Sequence, residues 1–153
     1  MSKQTIHTEY YKDGTPCECE RLQKSYCDKT GVLLSETPYI KSKRNGVQQR
    51  YYESGALQSK TPYKDNETHG LHKSFYESGA LKGKVPYVRS KANGLSRWYY
   101  ESGALQSETP YKNGEVHGLC TYFHETGGLW TSSLYANGKQ VPIKDINGYT
   151  TRE

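Results

Sequence analysis

Apolar and aromatic residues recur along this chain at one fixed interval. Tyr99-Tyr100-Glu101-Ser102-Gly103-Ala104-Leu105 is matched 24 residues earlier by Phe75-Tyr76-Glu77-Ser78-Gly79-Ala80-Leu81, and 24 earlier again by Tyr51-Tyr52-Glu53-Ser54-Gly55-Ala56-Leu57. Phe123-His124-Glu125-Thr126-Gly127-Gly128-Leu129 continues the series forward, and a worn copy, Cys27-Asp28-Lys29-Thr30-Gly31-Val32-Leu33, stands 24 residues before Tyr51. Five copies at one period, without insertion, predict a repeat architecture.

Within the copies apolar positions alternate. Leu71, Phe75, Leu81, Val85 and Tyr87 share odd parity, as do Leu95, Tyr99, Leu105 and Tyr111, and a period of two predicts strands. No stretch carries the 3.6-residue period of a helix. Glu77-Ser78-Gly79 has the form of a three-residue hairpin loop, a type I turn closed by glycine in the left-handed region. That loop sets Phe75 opposite Leu81, and likewise Tyr51 opposite Leu57, Tyr99 opposite Leu105 and Phe123 opposite Leu129. Turn chemistry and hydrophobic pattern thus select the same register. The second half of each copy runs to Pro-Tyr at 38/39, 62/63, 86/87 and 110/111, or Leu134-Tyr135, then through a polar loop to Gly46, Gly70, Gly94 or Gly118. The predicted fold is all-β: an elongated, single-layer antiparallel β-meander built from 24-residue β-hairpin repeats. Ten to twelve strands at about 4.8 Å each make a sheet roughly 50 to 55 Å long. Its Glu-Ser-Gly turns lie along one edge and its longer loops along the other.

Composition supports a thin sheet. Only 33% of the chain is apolar, and 15 Tyr stand against 2 Phe and 2 Trp, with a mean hydropathy of -0.97. Tyrosine suits a half-exposed sheet face, where the ring packs and the hydroxyl stays wet. The net charge of +5 is spread along the chain and does not by itself indicate nucleic acid. No window approaches the roughly 18 apolar residues of a membrane span, and the N-terminus has no apolar signal region. A cytoplasmic protein is the expectation. The four cysteines lack a paired spacing, in keeping with a reducing compartment. By domain, residues 1–26 form an N-terminal capping repeat, in which Tyr10-Tyr11-Lys12-Asp13-Gly14 resembles Tyr111-Lys112-Asn113-Gly114. Residues 27–140 form the 24-residue repeats, and 141–153 a C-terminal cap or tail.

From Tyr111 through Leu129 the pattern Tyr-x-x-Gly-x-x-x-Gly-Leu-x-x-x-Tyr/Phe-x-x-x-Gly-x-Leu resembles the MORN-repeat variant family, and the resemblance covers about residues 27 to 138. The loop glycine present as Gly114 and Gly138 is replaced by Ser42, Asn66 and Ser90 in other copies. The resemblance implies a protein-binding or lipid-binding module, and many small bacterial proteins of this type look like the antitoxin member of a toxin-antitoxin pair.

No nucleophile elbow, phosphate loop or metalloprotease helix is present, so no catalytic residue and no cofactor is expected. Ser54, Ser78 and Ser102 fall in Ser-Gly turns and suit a turn role. Cys17 and Cys19 share a strand face and Cys27 lies on the next strand, but spacing identifies no fourth ligand, and no metal is assigned. His69 and His117 occupy equivalent loop positions suited to loop hydrogen bonding. The partner-binding candidates are of two kinds. Tyr52, Tyr76 and Tyr100, with Arg50, Trp98 and Tyr122 on the same nominal face and His124 beside them, have the aromatic and arginine composition of binding hot spots. Packing of this face against itself or a terminal segment is the alternative. Lys41, Lys43 and Arg44, recurring 48 residues on as Arg89 and Lys91, form two basic clusters on the long-loop edge. The expected function is a non-catalytic protein-binding module, with neutralisation of a toxin as one form of it. Binding of anionic lipid head groups or nucleic acid through the basic edge is the alternative.

Overall fold

A computed structural model describes residues 3–6 and 21–143 of the protein. Sixteen strands occur among the described residues: β1 (Lys3–Ile6), β2 (Arg21–Tyr26), β3 (Leu33–Ile40), β4 (Lys43–Arg44), β5 (Gly46–Tyr51), β6 (Leu57–Lys64), β7 (Glu67–Thr68), β8 (Gly70–Phe75), β9 (Leu81–Val88), β10 (Lys91–Ala92), β11 (Gly94–Tyr99), β12 (Leu105–Lys112), β13 (Glu115–Val116), β14 (Gly118–Phe123), β15 (Leu129–Ala136) and β16 (Lys139–Val141). All belong to one antiparallel sheet. Twelve follow one another along it in chain order, while β4, β7, β10 and β13 each pair only with the long strand before them. The expected meander is therefore the architecture, with these two-residue strands added.

The short turns adopt the predicted geometry. Gly79 N–H donates to the Tyr76 carbonyl at 2.9 Å and Tyr76 N–H to the Ala80 carbonyl at 2.8 Å, with Gly79 at φ +88°. Phe75 consequently pairs with Leu81, and the other three predicted pairs form likewise. The earliest copy departs from the expected spacing. Tyr26 pairs with Leu33 and so takes the place of Tyr51, 25 residues before it, and Gly31 N–H reaches back four residues to the Cys27 carbonyl. The series of five therefore contains a one-residue insertion at the first of these turns.

The long loops are tighter than expected. Lys41-Ser42, Asp65-Asn66 and Arg89-Ser90 all have positive φ at both positions, as do Asn113-Gly114, the signature of a two-residue type I′ turn. Successive turns are stitched together: Asn66, Ser90, Gly114 and Gly138 N–H donate to the carbonyls of Arg44, Thr68, Ala92 and Val116 at 2.8–3.0 Å. Ser90 tolerates its φ of +61° because its hydroxyl accepts the Thr68 N–H at 3.0 Å, as Asn66 Oδ1 accepts that of Arg44 at 2.8 Å.

A bulge beside each Glu-Ser-Gly turn shifts the register by one residue, between Ser74 and Phe75 in one hairpin. Beyond it His72 pairs with Val85 and Leu71 with Pro86. The odd-parity set expected on a single face is thereby divided, because the bulge exchanges the parity of facing residues. Val85 shares its face with even-numbered His72, Ser74 and Trp98, whereas Leu71 and Leu95 stand on the opposite face, exposed. What core the sheet has is thin and made of small side chains: Thr37, Ser59, Val85, Ser96, Ser107 and Cys120 are buried, all on the Val85 face.

Residues 7–20 of the expected N-terminal cap, with Cys17 and Cys19, and residues 144–153 of the expected tail lie outside the described residues. β2 pairs with β3 in the manner of the later hairpins, and β16 closes onto β15.

Candidate functional site

Pairing across the sheet aligns Ser35, Arg50, Ser59, Ser74, Gly83, Trp98, Ser107, Tyr122 and Thr131 in one row on the Val85 face. Three of the predicted binding residues, Arg50, Trp98 and Tyr122, are thus brought together on a floor of serines. Two open hollows adjoin Trp98. One of about 300 Å3 is walled by Arg50, Tyr52, His72 and Trp98, and one of about 550 Å3 by Val85, Ser96, Trp98 and Tyr111. Trp98 lines both. Its seat is made by Gly83: a Cβ there would stand 2.5 Å from Trp98 Cε3, and the corresponding positions in other copies carry Ser35, Ser59, Ser107 and Thr131. Sequence reasoning missed this pair, although Leu81-Lys82-Gly83 against Leu57-Gln58-Ser59 shows the exchange.

Burial tunes the groups on this face. His72 Nδ1 lies 2.9 Å from Thr61 Oγ1, and burial holds its pKa below the ordinary imidazole value. Burial likewise pushes the Cys120 thiol and the Tyr122 phenol upward. None of these groups is assembled with a nucleophile and base in the manner of a catalytic site.

Tyr52, Tyr76 and Tyr100 occupy a different place from the Arg50 row. Their hydroxyls donate to the carbonyls of Phe75, Tyr99 and Phe123, each at 2.8 Å. Each tyrosine therefore ties its own turn to the next repeat, and its polar end is already engaged. Beside them Ser78 donates to Glu101 at 2.6 Å and Ser102 to Glu125 at 2.7 Å, so the acidic edge is a hydrogen-bonded ladder. His124, at the position that follows Tyr100 in the series, stacks on Trp130 at a ring separation of 6.0 Å.

On the opposite edge, Lys43 Nζ stands 3.8 Å from Asp65 Oδ1, and the Arg44 guanidinium lies 4.2 Å above the Tyr63 ring while donating to the Asn66 carbonyl at 3.2 Å. Lys41 is the first residue of the same turn. Arg89 and Lys91 are exposed at the second cluster, four strands along, roughly 19 Å away. The backbone N–H groups of His69 and His117 donate to the Pro62 and Pro110 carbonyls at 3.0 and 2.9 Å, as those of Asn45 and Asn93 do in other copies, and the His117 ring accepts the Asn137 N–H at Nδ1, 3.3 Å away. Cys27 is a half-buried free thiol, and among the described residues no group of three or more His, Cys, Asp or Glu side chains is placed to hold a metal. No helix among them is long and apolar enough to cross a membrane.

The face opposite Trp98 carries a feature that parity alone concealed. Lys60, Lys73, Lys84 and Arg97 occur on four successive strands of the sheet path, directly paired with one another.

An open single-layer sheet in which one hairpin recurs, each copy bonded only to its neighbours, defines a linear repeat protein. Three of its consecutive repeats, residues 44–65, 68–89 and 92–113, match the model of the MORN repeat variant. No curated protein matches the chain.

Proposed function

We propose that the protein is a non-catalytic protein-binding module whose partner seats on the Trp98 face. One observation carries this reading: Arg50, Trp98 and Tyr122 stand in a row otherwise made of Ser, Gly and Thr, with open hollows on either side of Trp98. Half-buried aromatic residues and an arginine on a floor of small residues are the composition of an interface hot spot. A cytoplasmic location goes with this reading, in which Cys27 and Cys120 form no disulfide among the described residues. Neutralisation of a toxin is one use of such a surface, and it rests on the family resemblance.

The test is capture of interacting proteins from the native host, with mass spectrometry, by the wild-type protein and by Arg50→Ala, Trp98→Ala and Tyr122→Ala. A specific protein retained by the wild type and lost from the Trp98 variant is expected, since truncating a central anchor costs roughly 2 kcal/mol or more. Equal capture by all four would refute the assignment of this face. The exposed Arg89 and Lys91 favour the second reading, an anionic ligand on the loop edge. Recovery of lipid or nucleic acid lost on changing these two residues to Ser would favour it.

A further inference from the structure

We infer that the face opposite Trp98 is a docking strip for an acidic amphipathic helix of a partner protein. This inference rests on the protein-binding reading above and names a second surface and the chemistry that fits it. The central row of that face reads, strand by strand, Lys24, Glu36, Gln49, Lys60, Lys73, Lys84, Arg97, Glu108, Thr121 and Ser132. Its flanks are neutralised. Lys24 meets Glu36 at 3.0 Å and Arg97 meets Glu108 at 2.6 Å. Between them Lys73 pairs with Lys60 on one side and Lys84 on the other; among the described residues none of the three has a carboxylate partner, and Lys84 Nζ lies 5.6 Å from the centre of the Tyr99 ring. Like charges directly opposite one another weaken a sheet, so the row is a feature that folding alone does not favour. The single difference between residues 51–63 and 99–111 falls in this row: Lys60 stands where the other copy has Glu108.

Two residues further along the same strands runs an apolar row, Val47, Pro62, Leu71, Pro86, Leu95 and Pro110, paired in the same order. Val47, Leu71 and Leu95 are 48%, 43% and 36% exposed. The face therefore presents a basic stripe and an apolar stripe side by side, about 7 Å apart, both running along the length of the sheet.

The spacings select the occupant. Neighbouring cations are separated by one strand, about 4.8 Å, and Leu71 and Leu95 by two, about 9.6 Å. Along an α-helix, residues at i and i+4 are about 6 Å apart in rise and those at i and i+7 about 10.5 Å. A helix laid along the strip can set Asp or Glu from successive turns on the lysines and an apolar residue every second turn on Leu71 and Leu95. Its two ridges would be separated by about the distance between the stripes. An extended peptide repeats its side at nearly 7 Å and matches the lysine spacing less well.

The test uses a fluorescent synthetic peptide with Glu at i and i+4 and Leu at i and i+7, read by anisotropy, beside a shuffled peptide of equal composition. An oligo-dT strand and phosphatidylserine vesicles serve as further probes. The helical peptide is expected to bind, to gain helicity on doing so, and to bind the protein more tightly than the shuffled peptide does. Lys60→Ser, Lys73→Ser and Lys84→Ser together should weaken it about tenfold or more and flatten its salt dependence. Leu71→Ser with Leu95→Ser should weaken it while leaving the salt dependence intact. The triple lysine variant should also melt no lower than the wild type, since it relieves repulsion, so misfolding is excluded by the same sample. Equal affinity for both peptides, preference for the oligonucleotide or the vesicles, or no binding would each overturn the inference. Trp98→Ala should leave peptide binding unchanged. A native partner lost from Trp98→Ala yet kept by the triple lysine variant would refute this strip alone, whereas absence of any protein partner would refute the broader reading.

Discussion

Gly83→Ser tests how Trp98 is held. The substitution gives this repeat the residue found at positions 35, 59 and 107 of other copies, so the backbone accepts it. The obstacle is Trp98. The new Cβ would lie 2.5, 2.7 and 2.9 Å from its Cε3, Cζ3 and Cδ2 atoms, whereas carbon atoms in contact prefer about 3.5–4.0 Å. The indole must therefore retreat by about 1 Å, losing contact with the strand beneath it. Forced displacement of this kind costs about 1–3 kcal/mol. Part of that is offset, because removing a strand glycine restrains the unfolded chain by about 0.4–1 kcal/mol. The two terms separate in a double-mutant cycle with Trp98→Ser, which copies Ser74 of the neighbouring hairpin. In that background Gly83→Ser should be neutral or stabilising, and the coupling between the sites should be about 1–3 kcal/mol. Thermal midpoints report it at about 2–4 °C per kcal/mol for a chain of this size. Trp130→Phe removes the exposed second tryptophan, so that emission reports Trp98 alone and should shift red with Gly83→Ser. Equal changes in midpoint in both backgrounds would show that the indole does not rest on Gly83.

Three further outcomes follow from the ties between repeats. Tyr76→Phe removes the bond to the Tyr99 carbonyl and should cost about 0.5–1.5 kcal/mol, with Tyr52→Phe and Tyr100→Phe adding to it; a triple variant of wild-type midpoint would refute their role as ties. Ser90→Ala keeps the strained φ but loses the acceptor for Thr68 N–H, whereas Ser90→Gly relieves the strain while losing the same bond. The alanine variant should therefore be the less stable of the two by about 1 kcal/mol, and the reverse order in denaturant titration would contradict the type I′ turn. For His72 the folded pKa is depressed by burial below the ordinary value of 6.5. Its contribution is then fully present above that pH and is lost as pH falls through it, because the unfolded chain takes up the proton first. His72→Gln should remove this part of the acid sensitivity, and an unchanged midpoint-versus-pH curve from pH 7 down to about 5 would refute it.

The fold was largely legible in the residues because two independent signals agreed. Glu77-Ser78-Gly79 sets a turn and Phe75 and Leu81 set a pair, and the hairpin satisfies both. The candidate faces were less legible for a definite reason. Parity identifies a face only while the register is continuous, and the bulge between Ser74 and Phe75 breaks it. Leu71 and Val85 consequently part company, and Trp98, expected opposite the packed residues, lies among them. Tyr76 and Trp98 were grouped by even number, yet one ends in a backbone carbonyl of the next repeat and the other lines open hollows. The lysine row was within reach once the predicted turn was given its bulge, since the shifted register sets Lys73 opposite Lys84. The stitching of the type I′ turns was not, because it depends on contacts between side chains and backbone 22 residues apart.

Comparison of the copies within this one chain divides structural positions from those free to serve a partner. Where a residue builds the turn edge, it repeats almost unchanged: Tyr at 52, 76 and 100, Glu at 53, 77, 101 and 125, and Gly at 55, 79, 103 and 127. The tyrosine hydroxyls and the Ser78–Glu101 and Ser102–Glu125 bonds run from one copy to its neighbour, while each glycine N–H closes its own turn. On the open faces the residue changes from copy to copy. Positions 50, 74, 98 and 122 read Arg, Ser, Trp and Tyr, and positions 60, 84, 108 and 132 read Lys, Lys, Glu and Ser. In a linear repeat each unit gains stability chiefly from the interface with its neighbours, so a thin sheet of this kind must keep the edge ladders in every copy. The faces carry no such demand, since a single layer has no second sheet to fit. They are free to differ, and a row in which Trp98 stands beside a glycine cut to receive it, or three lysines stand together with no carboxylate partner among the described residues, marks the places where something other than folding has set the residue.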